Sequence, residues 1–175
     1  NALIDNVVSE WNGLGYSGTN SGGDLTIVNS VFRNNRAGVV PNSGTYEGCY
    51  PQRETTVVGN YVHDNGNEDT DSIAAALLAQ GTGITVTGGV GNIVERNRVE
   101  DNPLAGIAVV PLPEDDPIAP IPAEEDWTTG CVEDAVAASD EVIAELDNPL
   151  LWESYDNRVA ENVVSGSDEW NIVLL

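Results

Sequence analysis

The chain has 175 residues, enough for one domain with a real core, and its 29 acidic residues against six Arg and no Lys give a net charge of -23. That charge disfavours nucleic acid and anionic membranes as partners. No apolar run approaches the ~18 residues of a membrane span, so no membrane insertion is expected. The acid excess is compatible with a salt-adapted surface, an anchoring site for divalent cations or a highly soluble secreted protein. The chain opens on Asn1 and contains no Met, as a mature or excised segment would.

In chain order, one string of the form aliphatic-x-x-Asn-x-Val keeps returning. It reads Leu3-Ile4-Asp5-Asn6-Val7-Val8, then Thr26-Ile27-Val28-Asn29-Ser30-Val31 with Thr in the aliphatic slot, then Val57-Val58-Gly59-Asn60-Tyr61-Val62. Val94-Glu95-Arg96-Asn97-Arg98-Val99 and Val159-Ala160-Glu161-Asn162-Val163-Val164 complete the series. After each comes a small residue and an aliphatic or β-branched run, such as Gly38-Val39-Val40, Gly83-Ile84-Thr85-Val86 and Gly106-Ile107-Ala108-Val109; Asn171-Ile172-Val173 carries Asn in place of Gly. A unit this short cannot bury its own apolar face, so successive units must stack and share one core. Three short strand-like pieces separated by turns make one coil of a parallel β-helix. At the bend between two strands Asn tolerates the left-handed conformation and its amide can bond the equivalent amide one coil away. Asn6, Asn29, Asn60, Asn97 and Asn162 are therefore expected to form a structural ladder. The residues two places on, Val8, Val31, Val62, Val99 and Val164, are expected to form an inward row.

The ladder positions lie 23, 31, 37 and 65 residues apart. With 23 as the plain coil, the later coils carry insertions of roughly 8, 14 and 42 residues, where binding functions tend to sit. The second coil breaks after Val39-Val40-Pro41 and the fourth after Val109-Val110-Pro111, so both insertions leave the same corner, about 10 Å apart at the usual strand spacing. Each contains one of the two cysteines, Cys49 and Cys131, which are expected to form a disulfide and to place the protein outside the reducing cytosol; two unpaired buried thiols are the alternative. The third insertion, Asn67-Glu68-Asp69-Thr70-Asp71, is an acidic turn leading into a short helix at residues 72–78. Asp64, Asp69 and Asp71 could there offer oxygens to Ca²⁺, although the EF-hand pattern is not met. The fourth, residues 111–154, is a Pro-rich and helical insertion within a single β-helix domain spanning 1–175. Val132, Ala135, Val136, Ile143 and Leu146 lie on one face of an amphipathic helix that covers a sheet, and Trp127 and Trp152 flank it as packing anchors or sugar platforms.

Aligning the coils on the bend Asn puts Glu10, Arg33, Asp64, Asp101 and Gly166 in one external row, with Ser9, Phe32, His63, Glu100 and Ser165 beside it. Neighbouring coils bring such side chains to ~5 Å, so Arg33, Arg36, His63, Asp64, Glu100 and Asp101 form the candidate acid-base constellation.

The phrases Asn60-Tyr61-Val62-His63-Asp64-Asn65 and Asn97-Arg98-Val99-Glu100-Asp101-Asn102, followed by Gly106-Ile107, resemble the repeats of right-handed parallel β-helix proteins of the pectate-lyase-like superfamily and of NosD-type secreted proteins. The resemblance implies an all-β, right-handed solenoid of about five coils with an inserted α-helix, and a secreted or cell-surface location. Neither the Asn-Thr-Asp, Asp-Asp and Gly-His-Gly set of polygalacturonases nor the Asp-Pro-His-Glu of mannuronan epimerases occurs. The expected function is thus a noncatalytic module that binds carbohydrate or another macromolecule, or that forms part of a larger extracellular structure. The alternative is a calcium-assisted polysaccharide lyase or glycoside hydrolase working through Asp64 and Asp101. Uncapped outer strands lead to a further expectation, of more coils in the parent chain or end-to-end self-association.

Overall fold

A computed structural model describes residues 2–45, 50–72, 74–115, 117, 120–121, 124–127 and 150–175. Cys49, Cys131 and the amphipathic face at 132–146 lie outside the described residues.

Five coils are present, each made of three strands. The first comprises β1 (Ala2–Asp5), β2 (Val8–Glu10) and β3 (Leu14–Thr19), and the second β4 (Gly22–Val28), β5 (Val31–Arg33) and β6 (Ala37–Asn42). The third runs through β7 (Arg53–Val58), β8 (Tyr61–His63), the short helix α1 (Ala74–Leu78) and β9 (Thr82–Thr87). The fourth contains β10 (Ile93–Glu95), β11 (Arg98–Glu100) and β12 (Ala105–Val110), after which β13 (Leu112–Glu114) pairs antiparallel with β14 (Leu150–Trp152). The fifth closes with β15 (Arg158–Ala160), β16 (Val163–Ser165) and β17 (Trp170–Leu174). Corresponding strands pair in parallel from coil to coil, giving three five-stranded sheets wound as a right-handed β-helix.

Alternation within each strand decides what points inward. Ile27, Val57 and Val94 face inward from the first sheet, Phe32, Val62 and Val99 from the second, and Val39, Ile84 and Ile107 from the third; all are at most 1 % exposed. The glycine before each third-sheet run is required by space. A Cβ on Gly38 would stand 2.3 Å from the Gly83 carbonyl oxygen, and one on Gly83 would stand 2.6 Å from that of Gly106.

The corners are held by three polar ladders rather than one. At the corner between the first two sheets, the backbone N–H and side-chain Nδ2 of Asn60 both donate to Asn97 Oδ1 (3.0 and 3.1 Å), and those of Asn97 donate to Asn162 Oδ1 (2.9 and 3.0 Å). Five residues on, the same geometry joins Asn12, Asn35, Asn65 and Asn102. Five residues before the first ladder, Asn92 donates to Asn157 Oδ1 and its own Oδ1 accepts from Thr55 N–H.

The expected ladder needs a correction in its first two coils. Strand register aligns Val8 and Val31 with Tyr61, so the ladder position there belongs to Val7 and Ser30, not to Asn6 and Asn29. Ser30 continues the ladder by donating its N–H to Asn60 Oδ1 and accepting Val7 N–H on its hydroxyl. Asn6 and Asn29 occupy the preceding bend, with φ of 58° and 50°, where the later coils place Gly59, Arg96 and Glu161. An Asn serves either need at a bend, and the string does not separate them. The slip of one residue reverses the faces: Val8 points outward and is 59 % exposed, Val31 also points outward, and Phe32 takes the inward place.

Candidate functional site

The second sheet presents two outward rows. Register sets Glu10, Arg33, His63, Glu100 and Ser165 in one and Val8, Val31, Tyr61, Arg98 and Val163 in the other. The strands are three residues long, so each offers two outward side chains on either side of one inward side chain. His63 and Glu100 therefore share a row with Arg33, whereas Asp64 and Asp101 fall in the bends beyond, with φ of 51° and 55°. Asp is among the few residues that tolerate that conformation, which gives both a backbone role. Tyr61 and Arg98 were absent from the expected constellation; the polar or aromatic residues on both sides of an inward Val were their signal.

These side chains engage one another. Arg33 Nε donates to Glu10 Oε2 at 2.8 Å, and Arg98 pairs with Glu100 at the same distance. The Tyr61 hydroxyl donates to Glu100 Oε2 at 3.2 Å, the His63 ring stacks on Tyr61 with centroids 4.0 Å apart, and the Arg98 guanidinium lies 4.9 Å from the Tyr61 ring centre. His63 Nδ1 is 2.6 Å from Asp64 Oδ2. The Arg98 hydrogen bond, helped by that from Tyr61, holds the Glu100 carboxyl below its ordinary range, while desolvation and then Glu100 push the Tyr61 phenol up. Around Glu95 on the first sheet, Arg158 does what Arg98 does for Glu100. A general acid needs a carboxyl held protonated, and the Arg partners do the opposite. Glu10 and Glu100 stand three coils apart, about 14 Å at the strand spacing, beyond the ~6.5–9.5 Å of an inverting carboxylate pair. Asp64 and Asp101 do occupy adjacent coils.

The acidic loop of the third coil is organised around a cation of the chain itself. Arg36, 8 % exposed, donates through Nη2 to the carbonyls of Glu68 and Thr70 and through Nη1 to Gln80 Oε1. Asn67 Oδ1 accepts Asp69 N–H in a local turn, and Asp64 turns instead to His63. Asp64, Asp69 and Asp71 do not converge, and among the described residues no three His, Cys, Asp or Glu side chains are grouped to hold a metal ion. Arg36 thus belongs to this clamp, not to an acid-base row. Of the flanking tryptophans, Trp152 is buried, with Nε1 donating to Glu114, and the Trp127 ring lies 5.8 Å from the Arg53 guanidinium.

Fold and face together define a parallel β-helical solenoid with an internally paired polar face on its second sheet. No family model matches the chain, and no curated protein or solved structure is detectably similar to it.

Proposed function

We propose that this is a noncatalytic, secreted or cell-surface β-helix module that binds a neutral polysaccharide on the outer face of its second sheet. The observation that carries the reading is the pairing of Glu10 with Arg33 and of Glu100 with Tyr61 across neighbouring strands, and of Glu100 with Arg98 along its own strand. Such a face is rigid and its Arg98 keeps the Glu100 carboxylate ionised, which suits hydrogen bonding to sugar hydroxyls better than proton transfer. The acid excess disfavours polyuronates as ligands. The repeat phrases support a relationship to the pectate-lyase-like and NosD-type β-helices. The Cys49 to Cys131 pairing expected from the sequence supports an extracellular setting, and a thiol count of the native protein tests it.

Calorimetric titration with a panel of neutral and acidic oligosaccharides tests the reading. Saturable binding of a neutral glycan that falls at least tenfold in Tyr61→Ala and in Arg98→Ala is expected; no binding by any glycan, or binding indifferent to both changes, sinks it.

A second reading, glycoside hydrolysis or lyase action, is favoured by the adjacent bends of Asp64 and Asp101 and by the His63 contact. It requires measurable turnover of a polysaccharide that is lost in Asp64→Asn and Asp101→Asn. End-to-end association, the alternative to further coils in a longer chain, is compatible with Ile172 and Leu174, which continue the inward rows of Ile107 and Val109 yet are 47 % and 62 % exposed. Light scattering over a concentration series tests it, since a constant monomer mass is incompatible with stacking.

A further inference from the structure

The third sheet carries an apolar outer face. Val40, Thr85 and Ala108 alternate with the inward Val39, Ile84 and Ile107 and so point away from the core, yet they are 1 %, 5 % and 6 % exposed. From one side α1 and the turn after it cover them, with Ala79 of that turn packed against Ala37 and Val40. On the other side stands β13, fixed by Glu114, whose carboxylate accepts from Thr45 N–H, the Thr45 hydroxyl and Trp152 Nε1. Between these walls is a cavity of about 280 Å³, lined by Val40, Ala75, Ala79, Val110 and Leu112 among others, with Asn42, Ser43, Thr85, Thr87 and Glu114 as polar members.

Two properties of the cavity select what it would take. The Thr85 hydroxyl is buried and, among the described residues, has no hydrogen-bond partner. That is an unfavourable state for a group able both to donate and to accept, and it is relieved by one polar atom of a ligand. The Glu114 carboxylate at the edge, on a chain of net charge -23, opposes an anion. The volume is close to the ~300 Å³ at the small end of ligand sites and about twice the ~150 Å³ cavity that admits benzene, so it fits roughly a dozen non-hydrogen atoms.

We propose that this cavity binds an uncharged, mostly apolar small molecule that carries a single hydroxyl group. The site is separate from the polar face of the second sheet and does not depend on it.

Equilibrium dialysis of the intact chain against 1-naphthol, naphthalene and 1-naphthoate tests the proposal, because the three differ only at one substituent. Saturable uptake of one equivalent of 1-naphthol is expected, with naphthalene bound about tenfold more weakly, as one hydrogen bond allows, and 1-naphthoate excluded. Thr85→Val, close to isosteric, should erase the preference for 1-naphthol while leaving naphthalene binding unchanged. Ala75→Trp on α1 should block both, and Leu112→Trp on β13 should do the same from the opposite wall should the first variant misfold. Absence of saturable 1-naphthol uptake, uptake that survives both blocking variants, or an unchanged preference in Thr85→Val overturns it.

Discussion

Asn97 shows how much one side chain does in this fold. Its Oδ1 accepts from both nitrogens of Asn60, its Nδ2 donates to Asn162 Oδ1 and to Val57 O, and it is 1 % exposed. Removing the amide strands donors of Asn60 and the Val57 carbonyl in a place water cannot reach, at a cost of order 1–3 kcal/mol for each buried group left unpaired. Asn97→Ala is expected to lose about 3 kcal/mol in urea unfolding. Asn162→Ala, on a half-buried residue of the outermost coil, should lose about 1 kcal/mol. Equal losses at both positions would mean that burial does not govern the ladder.

At the scale of strands and turns, the third sheet depends on close backbone approach at its entry corner. Gly38 sits below the Gly83 carbonyl and against Val62 Cγ1, the latter 2.8 Å from where a Cβ would lie. Neither neighbour can retreat without opening the coil stack, so Gly38→Ala should cost about 2–3 kcal/mol, the upper range for overpacking, read as a lower urea midpoint with unchanged m-value. A neutral outcome would show that the corner is looser than its contacts. The acidic loop after β8 is tied down differently, by Arg36 reaching two of its carbonyls. In that loop a guanidinium supplies the positive charge for which the alternating oxygens had pointed to Ca²⁺.

Charge sets the behaviour of the whole molecule. With 29 acidic residues against six Arg, self-repulsion opposes compaction, and salt screens it over about 10 Å at 0.1 M. The thermal midpoint should therefore rise between low salt and 1 M NaCl; a flat or falling midpoint would show that the local ion pairs outweigh the global field. Acid has a separate, local effect. The Glu95 carboxyl is held below the ordinary carboxylate range chiefly by its hydrogen bond from Arg158, so its contribution is present above that range and is lost as pH falls through the depressed one. Arg158→Gln should then destabilise the protein at neutral pH, and the gap to the unaltered chain should close as acidification protonates Glu95. A gap that is independent of pH would deny the pair its electrostatic role.

The sequence by itself determined the solenoid: a recurring bend residue, a glycine before each third-sheet run and alternating apolar residues leave few other ways to bury so short a unit. It also held a sharper signal than the string used to read it. Asn92, Asn97 and Asn102 are five apart, as are Asn60 and Asn65, because the two short sides of the coil each take five residues. Reading Asn6 and Asn29 as equivalent to Asn60 moved two coils by one residue and exchanged inward for outward side chains. Only the tertiary structure decided which outward side chains meet. Residues 23 to 65 positions apart in sequence come to lie one strand apart, through insertions whose lengths carry no register information. That is why Tyr61 joins the pair that Arg98 and Glu100 make within one strand, why Asp64 and Asp101 fall into bends, and why an apolar cavity forms on the outside of a fold whose core is elsewhere.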